Sequence, residues 1–212
     1  METTVTVSDV TTVGAETVAI EFAAPEGFEA HPGQFVKLMA TVDGDDYARF
    51  YTLSSPDVRD DFEITVEINP AESGPFSEYL GALTPGDEID MSGPFGADYY
   101  EGEPRVVVLA GGPGIGPAVG IGERALDDGG EVAVIYQAET PAHEDRLSTL
   151  DDRGATVTIT DGSIADAVDD ALTGDAGEQV FVYGFEPFVE DAADAIDAAG
   201  GDSDAVKVEN FG

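Results

Sequence analysis

The sequence contains no cysteine, and only two histidines, His31 and His143, occur among its 212 residues. Without cysteine the chain cannot form a disulfide, a Cys-ligated iron–sulfur cluster, a Cys-based zinc site or a thiol nucleophile. Two isolated histidines also argue against a His-rich metal site, so no metal ligands are predicted. Neither histidine belongs to a chemical motif, and both are predicted to lie at the surface.

Basic residues are scarce as well: 8 Lys and Arg stand against 45 Asp and Glu, a formal net charge of -37. The acidic residues are spread along the whole chain, so they describe the entire surface rather than a tail. Their repulsion opposes compaction at low ionic strength but is screened at molar salt, where the Debye length is about 3 Å. We interpret the composition as that of a salt-rich cytoplasm, such as that of a halophilic archaeon, with an ordinary acidic protein as the alternative. No nucleic-acid partner is predicted.

Long hydrophobic runs are also lacking. The longest, at residues 106–110, is far shorter than the roughly 20 residues that a membrane-spanning helix needs. The N-terminus, METTVTVSDV, has neither the basic nor the apolar region of a secretory signal. We therefore predict a cytoplasmic protein without a membrane span. What is present is 42% hydrophobic residues, which is enough to build cores despite the charge.

The first hundred residues have the period of β-strands. Apolar and polar residues alternate at residues 3–7, 18–22, 34–40 and, most clearly, 62–68. Turn residues separate these segments, and one short helix is predicted near residues 76–83. Many short alternating strands with one small helix predict an antiparallel β-barrel over residues 1–100.

After Gly102 the pattern changes to near-continuous apolar strands that alternate with helices. The predicted strands cover residues 105–110, 131–136, 155–159, 179–183 and 205–208. The predicted helices include one ending near residue 126 and others at residues 164–172 and 187–199. Such a pattern is typical of a parallel sheet covered by helices on both faces. We therefore predict a second, α/β domain over residues 101–212.

A glycine-rich turn, LAGGPGIGP at residues 109–117, directly follows the first strand of the second half and directly precedes its first helix. Dinucleotide-binding folds place a pyrophosphate at this point, because glycines admit a close approach and the helix presents unpaired N–H groups. The run is not the G-x-G-x-x-G fingerprint, since Pro117 follows Gly116. A tight turn without a ligand stays open as the alternative.

Four short motifs stand in order along the chain: RFYTLSS at residues 49–55, GPFS at 74–77, GGPGIGP at 111–117 and ENFG at 209–212. They resemble Arg-x-Tyr-Ser/Thr-x-x-Ser, Gly-x-x-Ser, Gly-Gly-x-Gly-x-x-Pro and Glu-x-Phe-Gly of the ferredoxin–NAD(P)H reductase-like flavoproteins. The resemblance spans nearly the whole chain. It implies a flavin-binding β-barrel domain at residues 1–100 and a Rossmann-like NAD(P)-binding domain at residues 101–212.

The resemblance also assigns roles to residues. Arg49 would pair with the flavin pyrophosphate, Tyr51 would lie against the isoalloxazine ring, and Thr52 would offer its hydroxyl near the reactive flavin nitrogen. Glu209 and Phe211 would return to the flavin from the second domain. The implied catalytic residues are Thr52, Tyr51 and Glu209. The implied cofactor-binding residues are Arg49, Tyr51, Thr52, Ser55, Val66, Glu67, Ile68, Gly74, Pro75, Phe76, Ser77, Gly111, Gly112, Gly114, Ile115, Gly116, Pro117, Gly184, Phe185, Glu186 and Phe211.

Each of these roles has a plain structural alternative. Arg49 would otherwise form a surface salt bridge, which is attractive among so many acids. Residues 74–77 would otherwise simply cap a helix, and residues 209–211 would be a frayed chain end.

The sequence departs from the resemblance at two places. Tyr183 stands where many relatives carry a cysteine near the nicotinamide, so positioning there is expected to be weaker, although hydride transfer does not strictly need the thiol. After the second strand of the α/β half, residues 137–139 read QAE. A carboxylate such as Glu139 suits a ribose hydroxyl and repels a 2′-phosphate, which favours NADH over NADPH. Arg146, nearby, would act in the opposite direction.

The resemblance implies an FAD-dependent oxidoreductase, with FAD rather than FMN, that passes hydride from NAD(P)H to flavin. Because no cysteine is available for a cluster, the electrons would leave to a separate redox partner protein, with ferredoxin the first candidate. Three alternatives stay open: a reductase component serving an oxygenase or free flavin, a flavin-binding regulatory or assembly subunit with weakened turnover, and a nucleotide-binding module without flavin. The sequence predicts no oligomeric state.

Overall fold

The structure is a computed structural model that describes residues 1–68 and 74–211. Gly212 of the C-terminal motif therefore lies outside the described residues. In the first half the elements are β1 (Glu2–Gly14), β2 (Thr17–Ala23), β3 (Phe35–Val42), β4 (Asp45–Thr52), β5 (Asp61–Glu67), α1 (Pro75–Gly81) and β6 (Glu88–Phe95). These strands pair antiparallel in the order β4-β3-β6-β1-β2-β5, and a bridge between Leu53 and Ile64 joins the two edges. The predicted antiparallel barrel is confirmed.

Alternating burial explains why these strands close around one core. On β5, Phe62, Ile64 and Val66 are all buried and point into the barrel. Thr65 points outward but is also buried, at 6% exposed. The reason is that the second half of the chain covers this outer wall.

The second half alternates strands and helices. Its elements are β7 (Arg105–Gly111), α2 (Ile115–Asp127), β8 (Glu131–Gln137), α3 (Glu144–Asp152), β9 (Thr156–Thr160), α4 (Ala165–Ala171), β10 (Glu178–Gly184), α5 (Glu186–Ala198) and β11 (Lys207–Asn210). The strands are parallel in the order β11-β10-β7-β8-β9. One apolar cluster lies under α2 and α3 and another under α4 and α5, so both faces of the sheet are covered. The predicted α/β architecture is confirmed. No helix in the described part of the chain is long and apolar enough to cross a membrane.

His143 lies at the contact between the two halves, so the prediction that it is a surface residue was wrong. It is 4% exposed, and its backbone N–H donates to the Val13 carbonyl at 2.8 Å. Its Nε2 shares a 2.8 Å hydrogen bond with the Thr65 hydroxyl, which also bonds the Ser54 hydroxyl at 2.7 Å. The residue is buried because the segment before α3 folds back onto the barrel. His31, in contrast, is exposed as predicted and stacks on Tyr99.

Arg146, on α3, forms a second link between the halves. Its guanidinium binds the Glu63 carboxylate of the barrel at 2.8 Å, the Glu123 carboxylate of α2 at 2.7 Å and the Ser54 carbonyl at 2.8 Å. These contacts engage three of its nitrogens with partners on both sides of the interface. Arg146 is therefore committed to holding the two halves together.

The buried His143 predicts a loss of stability in mild acid. Burial lowers the pKa of His143 from 6.5 to about 3. Between these two pH values the imidazole is protonated in the unfolded chain but stays neutral in the folded one. The contribution of His143 to stability is therefore full above pH 6.5 and falls as pH decreases, by about 2 kcal/mol at about pH 5. His143→Asn is the control, since Asn tolerates the left-handed backbone of this residue (φ 55°) and does not titrate. Urea unfolding in molar salt at about pH 5 and above pH 6.5 should show that the wild type loses this stability relative to His143→Asn as pH falls; a difference between the two that does not change with pH would contradict the prediction.

Candidate functional site

A cleft of about 570 Å³ lies between the two halves, within the usual range for a ligand site. The barrel lines it with Tyr47, Arg49, Phe50, Tyr51, Thr52, Thr65, Val66, Glu67, Gly74, Pro75, Phe76 and Ser77. The α/β half lines it with Gly112, Pro113, Pro117, Phe185 and Phe211. Because all four sequence motifs contribute to one concave surface, this cleft is the candidate site.

Arg49 is an exposed cation in a strongly acidic protein, yet no carboxylate of the described residues pairs with it. Among the residues that the structure describes, its guanidinium donates only to the neighbouring Ala48 carbonyl, at 2.9 Å. The salt bridge considered as its alternative role is thus not formed with any described residue. The side chain is available for an anion bound in the cleft.

Tyr51, two residues along the same strand, presents its ring to the cleft beside α1. Its ring centroid lies 6.3 Å from that of Phe76 on α1. Burial raises the pKa of Tyr51 to about 12, while a hydrogen bond with the Ser77 side chain and the Arg49 charge act in the opposite direction. Ser77 does not cap the helix, since the N-cap residue is Gly74. The arrangement offers a flat neutral phenol as a wall.

Thr52 and Glu209 form the contact that joins the two halves at the cleft. The Thr52 hydroxyl donates to Glu209 Oε2 at 2.8 Å, and Thr52 is 6% exposed. Burial raises the pKa of Glu209 to about 7, although the Thr52 hydrogen bond lowers it. Glu209 is held in place because β11 pairs with β10, where it lies opposite Tyr183. Phe211 N–H donates to the Gly184 carbonyl at 3.0 Å, so this segment is not frayed.

Of the predicted glycine turn, only Gly112, Pro113 and Pro117 line the cleft. Gly112 has φ +55°, a conformation that favours glycine, and leaves its backbone open to a ligand. Gly116 serves packing instead: a Cβ there would lie 2.5 Å from the hydroxyls of Ser54 and Thr65. Gly111 and Gly114 likewise pack, against Phe188 and Tyr183.

Eight predicted cofactor-binding residues do not line the cleft: Ser55, Ile68, Gly111, Gly114, Ile115, Gly116, Gly184 and Glu186. The Ser55 hydroxyl is engaged, since it accepts a hydrogen bond from the Glu63 backbone at 2.6 Å. Ile115 is fully buried in the core under α2. These residues belong to the strands, helices and turns around the cleft, but their side chains do not form its surface.

Tyr183 does not occupy the cleft either. Its side chain is 1% exposed and belongs to the core cluster under α2, with its ring stacked on Phe181. Its hydroxyl has no hydrogen-bond partner among the described residues and points toward Gly33 of the barrel. The expectation that a phenol replaces the thiol at the nicotinamide is corrected, because strand alternation turns this side chain inward. Phe185 and Phe211 line the cleft there, with ring centroids 6.0 Å apart.

Sequence reasoning missed Tyr47, Phe50, Thr65 and Pro113 among the lining residues. Tyr47 lies two and four residues before Arg49 and Tyr51 on β4, so strand alternation places all three on one face. That period was a usable signal. Thr65 had none, since it looks like an ordinary outward-facing strand residue.

Residues 4–100 match the model of the oxidoreductase FAD-binding domain. The match is to the first half of the chain, the antiparallel barrel, and does not extend into the α/β half. The matched residues take in α1 and the six antiparallel strands except for the start of β1, and so include the Arg49, Tyr51 and Thr52 side of the cleft.

Two of the curated relatives are named as electron transfer components. The chain is 34% identical over 136 residues to the probable dihydroorotate dehydrogenase B (NAD(+)) electron transfer subunit of Methanopyrus kandleri, covering 64% of this chain and 48% of that one. It is 33% identical over 129 residues to the toluate 1,2-dioxygenase electron transfer component of Pseudomonas putida, covering 59% and 37%. The chain thus spans less than half the length of these curated relatives.

The fold of the whole chain is also found among solved structures. All of it superposes on 70% of the ferredoxin reductase in carbazole 1,9a-dioxygenase, with a TM-score of 0.83 and 19% identity. The barrel and the α/β half are therefore arranged as in a known two-domain fold.

Proposed function

We propose that this chain is an FAD-dependent oxidoreductase that takes hydride from NAD(P)H and passes the electrons to a separate carrier protein. The observation that carries the proposal is a cleft lined on one side by residues that match an FAD-binding domain model and on the other by the glycine turn of a parallel sheet. When bound there, FAD would supply the chemistry by accepting a two-electron hydride and releasing electrons onward. We propose that residues 1–100 hold FAD and residues 101–212 hold the dinucleotide.

The residues present fit a flavin dinucleotide. Arg49, which pairs with no described carboxylate, offers its guanidinium for a pyrophosphate, and Tyr51 offers its ring as a wall for the isoalloxazine. Gly112 lets a second dinucleotide approach the backbone. Phe185 and Phe211 cover the cleft from the other side and would exclude water from the reacting atoms.

Thr52 and Glu209 are the residues proposed to act on the reacting atoms. Their hydrogen bond fixes the Thr52 oxygen and a partly buried carboxyl side by side. A carboxyl whose pKa is about 7 can be ionised or neutral at working pH. In its ionised form it would stabilise the positive charge that develops on the nicotinamide as hydride leaves.

The electron acceptor is proposed to be a ferredoxin or a comparable redox protein. A reductase component serving an oxygenase is the second candidate, supported by the relative named as a toluate 1,2-dioxygenase electron transfer component. A regulatory subunit with weakened turnover, motivated only by Tyr183, is not favoured, since that residue lies in the core. The dispersed acidic surface supports a salt-rich cytoplasm as the setting.

The visible spectrum before and after NADH tests the proposal. The protein, purified in molar KCl and supplied with FAD, is expected to bind the flavin, which NADH should bleach within seconds under anaerobic conditions. Addition of oxidised [2Fe–2S] ferredoxin should restore the flavin absorbance. A protein that stays colourless, or a bound flavin that NADH leaves unchanged, would overturn the proposed function.

We propose that NADH is preferred over NADPH. Gln137, at the end of β8, donates to the Gly162 carbonyl at 2.7 Å, and the exposed Glu139 follows. Arg146 binds the carboxylates of Glu63 and Glu123, so its guanidinium is not available to bind a 2′-phosphate. The ratio of kcat/KM for the two cofactors should favour NADH by ~10-fold or more. Glu139→Lys should reduce that ratio, and a preference for NADPH in the wild type would refute the assignment.

A further inference from the structure

Cations are used sparingly in this chain, and almost all are paired. Of the 8 Lys and Arg residues, six bind carboxylates: Arg59, Arg105, Arg124, Arg146, Arg153 and Lys207. Among the described residues, no carboxylate pairs with either of the other two, Arg49 and Lys37. Arg49 lines the cleft and is assigned to the flavin. Lys37 is thus a cation without a described carboxylate partner, and the proposed reaction gives it no role.

Lys37 lies on the outer face of β3. Its neighbours Val36 and Leu38 are fully buried in the barrel core, so Lys37 points away from it. It lies opposite Phe50 on β4 and opposite Ser92 on β6, and directly opposed residues share a face of the sheet.

Three aromatic rings surround this position. Phe35 precedes Lys37 by two residues and lies opposite Phe95 on β6. The Phe35 ring centroid lies 5.4 Å from that of Phe50 and 5.9 Å from that of Phe95. Phe50 is 59% exposed and Phe95 41%. We name these three rings, together with Lys37, the aromatic patch; exposed aromatic clusters of this kind mark interaction sites.

The aromatic patch adjoins the cleft. Phe50 itself lines the cleft, and Thr52, two residues further along the same face, donates to Glu209. A protein docked on the patch would therefore lie beside the edge of a cofactor bound in the cleft. In the other direction the face becomes acidic, at Asp46 and Asp90, each of which already accepts a threonine hydroxyl.

We propose that the aromatic patch is the docking surface for an acidic electron-carrier protein, which packs an apolar rim on the rings and pairs a carboxylate with Lys37. The inference rests on the proposed function. An unpaired lysine selects a negatively charged contact, while the rings supply an attraction that molar salt does not screen. The acidity of the remaining surface disfavours any other approach of such a carrier.

Binding of oxidised plant-type [2Fe–2S] ferredoxin, measured by isothermal titration calorimetry on the FAD-loaded protein in molar KCl, tests the proposal. Lys37→Glu and Phe95→Ser are suitable variants, because neither residue lines the cleft. Each should raise the Kd for ferredoxin by ~10-fold. The matched controls are Arg59→Glu, whose side chain is 83% exposed, and Ile159→Ser, which is 42% exposed on β9. Both controls should leave the Kd within twofold of the wild type.

The proposal is overturned if the wild type does not bind ferredoxin, if the two patch variants leave its Kd unchanged, or if the controls weaken binding equally. It is also overturned if the wild type is a dimer that Phe95→Ser dissociates, since a second copy would then cover the patch. NADH bleaching of the flavin is recorded for every variant and should stay within twofold of the wild-type rate. Because the Kd does not depend on turnover, a wild type that binds ferredoxin but is not bleached would contradict the proposed function and leave the docking surface supported.

Discussion

Replacing Arg49 by alanine is expected to raise the Kd for FAD by ~100-fold, because the variant loses a charge-assisted, two-pronged contact worth about 3 kcal/mol. Among the residues that line the cleft, Arg49 is the cation, and no described carboxylate competes for it. Fluorescence titration of the apoprotein with FAD in molar KCl measures the effect. The variant should be purified largely colourless.

Two controls separate loss of the contact from loss of the fold. Arg49→Lys keeps the charge but not the planar fork of donors, so it should lose affinity by only ~10-fold. Arg59→Ala removes a cation that pairs with Asp57 and does not line the cleft, so it should bind FAD like the wild type. Arg49 is exposed, and its replacement should leave the unfolding midpoint of the apoprotein unchanged. Unaltered FAD affinity in Arg49→Ala would show that the pyrophosphate lies elsewhere.

The fold was largely predictable, because most strands bury one side chain in two or lie wholly inside the sheet. Alternation predicted β5, whose inward residues are all buried. It did not predict β4, whose sequence DDYARFYT is exposed or half-buried except at Thr52. Its aromatic and charged side chains line the cleft rather than a core. The alternation of apolar and polar residues that identifies a strand is therefore absent from β4. Helix α3 was also not placed, since only Leu147 and Leu150 of its nine residues are buried.

For the candidate site, the sequence predicted which segments of the chain take part but not which residues of each segment line the cleft. Motif order brought β4, α1, the glycine turn and β11 to one cleft, but did not tell which face of each segment opens onto it. Gly116 packs on Ser54 and Thr65 because α2 crosses the barrel wall there, a contact between residues far apart in sequence. The burial of His143 depends on the same interface. Such contacts leave no local pattern in one sequence.

Glu209→Gln is expected to lower the rate constant for flavin reduction by NADH by ~100-fold, because the amide cannot supply the negative charge that favours hydride departure. In the wild type the rate should rise as pH increases through about 7, where Glu209 ionises, and then level off. The variant should be slow at every pH and show no inflection there. Anaerobic stopped-flow absorbance at saturating NADH gives both profiles.

Thr52→Val separates the role of the hydrogen bond from that of the carboxylate. The Thr52 hydroxyl lowers the pKa of Glu209, so its removal should move the inflection of the rate profile to higher pH. The plateau above that pH should be retained in part, since the carboxylate is still present. An inflection that stays in place would mean that another group titrates.

The same carboxyl should oppose folding, and this gives a test that needs no cofactor. Burial raises the pKa of Glu209 from 4.5 to about 7, so the folded state binds its proton more tightly than the unfolded state does. The resulting stabilisation is complete below pH 4.5 and is lost as pH rises through 7, a difference of about 3 kcal/mol. Urea unfolding of the apoprotein at about pH 8 should therefore show Glu209→Gln to be more stable than the wild type, with the two converging in acid. If Glu209 had a structural role, Glu209→Gln would be less stable than the wild type at this pH. A residue whose replacement slows hydride transfer but stabilises the fold is one that is placed for the reaction.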